Sequence, residues 1–197
     1  MRRVALVAVL ATTVAVAALV WAQRPGDGEG SGAAEGSAWA ALDAQARCDQ
    51  AVELVTHPDR WPLRCRWRAP GEQLVGQAYP PPAGEAPFDA PRVEIYVAPE
   101  QSREDVARAI AHELGHMHHT RRPTFVADWL AARNLDPATP SEVWTEDYAE
   151  VFAALFAPPS TAWRAPTPRP SPGAVEELKA RFFAGAGAPA RERPAGG

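Results

Sequence analysis

The sequence predicts an α+β domain with a short antiparallel or mixed sheet and one motif-bearing helix, placed after an N-terminal transmembrane helix. Three observations carry that reading. Arg92 to Ala98 (RVEIYVA) alternates apolar and polar residues with the period of a strand. The segments that follow Ser102, Phe125 and Glu142 repeat apolar residues at helical spacing instead. An uncharged run from Val4 to Ala22, rich in Val, Ala and Leu, follows Arg2 and Arg3.

That run is about long enough to cross the hydrocarbon core as a helix. The two arginines before it keep their end in the cytoplasm. Residues 1–22 are therefore expected to be a single-pass anchor in the cell membrane, with the rest of the chain outside the cytoplasm. A cleaved signal peptide is the alternative, with Val20-Trp21-Ala22 as its cleavage site and a secreted product. Residues 23–36, rich in Gly, Ser and acids, read as a flexible linker. The domain proper is expected at 37–160, and a Pro/Ala/Gly-rich tail with a short amphipathic segment (174–183) at 161–197.

From Ser37, Trp39, Leu42, Ala46, Val52 and Val55 recur at helical spacing until His57-Pro58 stops the pattern. Trp61 to Arg68 and Gln73 to Tyr79 read as half-exposed strands, and Pro80 to Pro91 as a loop. In RVEIYVA, Val93, Ile95 and Val97 share one side, with Arg92, Glu94 and Tyr96 on the other. The two cysteines, Cys48 and Cys65, lie beyond the membrane run. In an oxidising compartment they read as one disulfide rather than two free thiols.

Ser102 with Asp105 three residues later forms a capping-box-like start for the next helix. That helix turns Val106, Ala109, Ile110, Leu114 and Met117 toward a core and carries His112-Glu113-Leu114-Gly115-His116. Positions i and i+4 share a helix face, so the two imidazoles converge beside an acid. Two neutral histidines and a third ligand make the open Zn2+ site of a hydrolase, in which a nearby acid serves as base. Glu113 is the candidate base, and His112 and His116 are candidate ligands.

The third ligand must come from elsewhere. The best candidates lie in Trp144-Thr145-Glu146-Asp147-Tyr148-Ala149-Glu150, where acids interrupt an apolar helix. Glu146 and Glu150 share a face, so one can bind metal while the other accepts a ligand histidine's ring N–H. Asp147 is a third possibility. Gly115, without a Cβ, lets another backbone approach the motif helix. His118 and His119 read as surface residues, and the seven tryptophans as core and interface anchors. The net charge of −4 and the lack of a basic block argue against a nucleic-acid partner.

His112-Glu113-Leu114-Gly115-His116 followed by Glu146-Asp147-Tyr148-Ala149-Glu150 resembles the gluzincins, the thermolysin-like zinc metallopeptidases. The run Glu146…Ala149…Phe152-Ala153 is similar to the short bacterial members of that class. The resemblance covers roughly residues 90 to 157. It implies a small zincin-like fold, with His112, His116 and Glu146 on zinc and Glu150 behind His112. It further implies hydrolysis of a peptide or protein substrate by a zinc-activated water, with Glu113 as base. The RVEIYVA strand would be the edge that binds extended substrate. No downstream motif supplies an oxyanion donor. Arg121, Arg122 and Tyr148 are the candidates, and their weakness leaves open an inactive zinc- or peptide-binding module of the cell envelope.

Overall fold

The computed structural model describes residues 38–57, 61–80, 91–120 and 125–183. The expected anchor, the linker and the segment after 183 lie outside the described residues, as does most of the Pro80–Pro91 loop. Among the described residues no helix is long and apolar enough to cross a membrane.

The fold is α+β, with a small mixed sheet and several helices. Helix α1 (Ala44–Ala51) runs into a 3-10 turn at Val52–Leu54. Strands β1 (Leu63–Trp67), β2 (Gly76–Tyr79) and β3 (Arg92–Val97) follow. Helices α2 (Arg103–Thr120), α3 (Val126–Ala132), α4 (Ser141–Phe156) and α5 (Pro172–Phe182) complete the described chain. The helix expected from Ser37 is broken before α1, because the Asp43 side chain accepts from the Ala46 amide at 2.8 Å and starts a new helix there.

The sheet order is β1-β3-β2, with β1 parallel and β2 antiparallel to β3. RVEIYVA is therefore the central strand, and its backbone groups are committed on both sides. This corrects the expectation that it is the edge receiving an extended peptide. Its pleat is as the alternation predicts, with Val93, Ile95 and Val97 all buried in the core. On the other face the Arg66 guanidinium lies 4.0 Å from the Tyr96 ring.

Helix α2 is sandwiched between this sheet and α4. Its start is the expected capping box: Asp105 N–H donates to Ser102 Oγ at 3.1 Å, and Ser102 N–H to Asp105 Oδ2 at 3.4 Å. Burial on two sides explains why nearly every residue from Val106 to His118 is withdrawn from solvent.

Packing does not end at 160. Leu178, Phe182 and Phe183 belong to the same core as Val106 and Phe152, so α5 is part of the domain rather than of a tail. Cys48 and Cys65 form a disulfide that ties α1 to β1. Nearby, the buried Arg47 donates to the carbonyls of Trp39, Ala40 and Pro99 and stacks between Trp39 and Trp67.

Replacing both cysteines by serine should lower unfolding stability by about 3 kcal/mol, since the bridge closes a short loop of the unfolded chain. Denaturant titration of the oxidised wild type and the variant measures this. Gly115→Ala should also destabilise, by about 2 kcal/mol, because the new Cβ would lie 2.8 Å from Ala149 Cα on α4. Gly173→Ala, with nothing within 4 Å of the added carbon, is the control and should leave stability unchanged or slightly raised.

Candidate metal centre

The approach of α4 to α2 creates the site. At Gly115 an added Cβ would meet Ala149 Cα at 2.8 Å and Phe152 Cβ at 3.0 Å. Only a residue without a side chain permits this crossing, and the neighbour is the glutamate helix that the sequence suggested. Three residues before the crossing, at His112 and Glu146, and one residue after it, at His116 and Glu150, the two helices present their polar residues to each other.

His112 and His116 bring their Nε2 atoms to 3.2 Å of one another. The Glu146 carboxylate faces both rings, with Oε2 at 3.2 Å from His112 Nε2 and Oε1 at 3.3 Å from His116 Nε2. Two ligand atoms about 2.0–2.1 Å from a tetrahedral ion lie roughly 3.3–3.4 Å apart. The spacing and the donor set of two imidazoles and a carboxylate therefore fit such an ion, and these three residues could hold a metal. Their side chains keep some exposure, 10 to 18 per cent, so the group is reachable from solvent.

The other face of His112 is held from behind. Its Nδ1 lies 3.0 Å from Glu150 Oε1, which fixes the ring and leaves Nε2 for the cluster. Glu150 is fully buried and accepts from Arg108 Nη2 at 2.6 Å and from the Arg164 amide at 3.3 Å. Asp147, next to Glu146 in sequence, points elsewhere. It takes Trp129 Nε1, Arg133 and the Thr167 hydroxyl, joining α4 to α3 and to the segment before α5. Glu150 and Asp147 were both possible third ligands, but only Glu146 shares the group with the two histidines.

Electrostatics follow this arrangement. Burial opposes charging His112, but hydrogen bonds to Glu146 and Glu150 outweigh it and push its pKa up to about 10. Burial likewise opposes ionising Glu146, and the two histidines overcome it, holding its carboxyl well below the usual range. Glu150 sits at about 2 for a similar reason, with His112 and Arg108 outweighing burial.

Glu113 points to the sheet. It lies against Gly76 of β2, where an added Cβ would come within 2.6 Å of Glu113 Cγ, and it accepts a hydrogen bond from the Ala78 backbone. Burial raises its pKa, partly offset by His116 and His112. Gly76 and Arg108 went unnoticed in the sequence reading. A glycine inside a strand marks close approach of another group, and a charged residue one turn before His112 on a core-facing helix was a second available signal.

Two expectations change. His118 is not at the surface: it is 7 per cent exposed, lies 2.7 Å from the Tyr148 hydroxyl through Nδ1, and stacks on that ring. Tyr148 is correspondingly buried, so its hydroxyl is turned into the core and is no oxyanion donor as it stands. His119 is half-buried between His116 and Trp144, where burial lowers its pKa to about 3. Arg121 and Arg122 lie outside the described residues.

Comparison with family models, with curated proteins and with solved structures finds no match.

Glu146→Ala should abolish stoichiometric metal uptake while leaving the fold intact. Asp147→Ala should do the reverse, keeping metal but losing about 3 kcal/mol, because the donors of Trp129, Arg133 and Thr167 lose their acceptor. Metal analysis after dialysis, paired with thermal unfolding, separates the two.

Proposed function

We propose that the protein is a zinc-dependent peptidase of gluzincin type with a zincin-like fold, held at the outer side of the cell membrane by its N-terminal segment. The observation that carries the reading is the meeting of His112, His116 and Glu146 from two helices, with a buried Glu113 beside them. His112, His116 and Glu146 would hold the zinc, with Glu150 orienting His112. The ion would supply Lewis-acid activation of water and substrate carbonyl. Glu113 takes a proton from the attacking water and delivers it to the leaving amine as the C–N bond breaks. Gly76 gives that carboxylate room.

The peptide would run along β2 rather than β3. β2 is an edge of the sheet, its outer side adjoins Glu113, and an extended substrate can pair there. A second reading, a zinc- or peptide-binding module without turnover, is favoured by one observation: the Tyr148 hydroxyl is engaged by His118 in the core.

Glu113→Gln should retain one zinc per chain and lose roughly 10²- to 10⁴-fold in peptide hydrolysis, the usual contribution of a positioned base. Cleavage of a peptide library by the zinc-loaded wild type and variant checks this. Equal, background turnover by both, with zinc bound, would leave the binding module as the answer.

A further inference from the structure

Arg108 is a buried charge that the reaction does not use. It is 2 per cent exposed and donates through Nη2 to Glu150 Oε2 at 2.6 Å, while its Nε and Nη1 have no hydrogen-bond partner among the described residues. Leaving buried donors unpaired is costly, and a buried ion pair seldom repays its desolvation in stability. The arrangement therefore needs another explanation.

The geometry supplies one. Arg108 and His112 are one helical turn apart on α2, so they face α4 together. Between them lies one carboxylate: Oε2 on the guanidinium, Oε1 on the imidazole Nδ1. Each oxygen is committed to a partner on the same rigid helix, which sets the carboxylate plane along the α2 axis. Rotation of Glu150 would break one contact or the other. Without Arg108, Oε2 would keep the Arg164 amide, at a longer 3.3 Å, and the attraction of the Arg164 side chain, neither of which comes from α2.

We infer that Arg108 is a positioning residue of the metal centre, which holds Glu150 so that Glu150 holds the His112 ring with Nε2 directed at the ion. The inference rests on the metal-site reading above and does not depend on turnover. It assigns Arg108 to metal affinity and coordination geometry, one step further back than Glu150.

The experiment compares zinc affinity, by competition with a chromophoric chelator, and the visible spectrum of the Co2+-loaded protein, which reports coordination geometry. Folded Arg108→Met should bind zinc about 10- to 100-fold more weakly, the range for loss of a partner behind a ligand, with an altered cobalt spectrum. Arg108→Lys keeps a cation and a single donor in place and should recover most of that loss. Folded Arg108→Met with wild-type affinity and an unchanged spectrum would overturn the inference while leaving the metal site standing. A wild type that takes up no zinc overturns both. If Arg108→Met does not fold, the double variant R108M/E150Q, which removes both charges of the buried pair, is compared with E150Q. Action through Glu150 requires the double variant to bind no more weakly than E150Q, and a clear further loss rejects it.

Discussion

The site depends on one close approach, the crossing of α2 and α4 at Gly115 and Ala149. Ridges of ordinary side chains hold helix axes about 8–10 Å apart. Here one side has no Cβ and the other only a methyl, so the backbones nearly touch. That contact sets the reach required of the polar residues around it. A glutamate on α4 can then bring both carboxylate oxygens to imidazoles on α2, and a second one turn later can stand behind the first histidine. Moving the helices apart by the width of a methyl group would exceed the tolerance of three contacts near 3.2 Å.

Helix α4 shows how one short acidic stretch divides its labour by angle. Glu146 and Glu150 share the face turned to α2, and Asp147, rotated by about 100° from Glu146, meets α3 and the strap before α5. Each acid is buried or nearly so, and each is matched by its own set of cations or donors. The helix thus serves the metal group on one side and the architecture on the other. The same chain positions that fix Glu146 also anchor residues 163–168, through Thr167 on Asp147 and the Arg164 amide on Glu150.

Local signals were legible in the sequence wherever a local cause decides structure. The capping box at Ser102 and Asp105, the pleat of RVEIYVA, the acidic helix and the need for Gly115 all act within one element or between two neighbours. Strand order was not legible, because alternation reports which side of a strand is covered and not which strands flank it. The edge role of RVEIYVA was implied by the resemblance to the gluzincins, and alternation offered nothing to set against it. The burial of His118 was hidden because a helix covered on two sides no longer obeys a one-face rule. Arg108 escaped because helical spacing shows that a charge faces inward without showing what it meets there.

The strand order also bears on how the chain assembles. β3, the last strand made, lies between the first two, and β1 and β2 do not pair with each other. The first two strands therefore cannot start the sheet as a hairpin, and the first antiparallel pair is β2 with β3. The sheet closes only when residues 92–97 insert, pairing Leu63 with Val93 and Ala78 with Val93 from opposite sides. Pairing across such a sequence separation makes the ordering slow relative to helix formation. The Cys48–Cys65 bridge, closed within the segment that precedes β3, ties β1 to α1 independently of that pairing. The helix carrying the histidines follows β3 directly, and Glu146 comes from a helix later still, so the site draws on elements that all follow the strand completing the sheet.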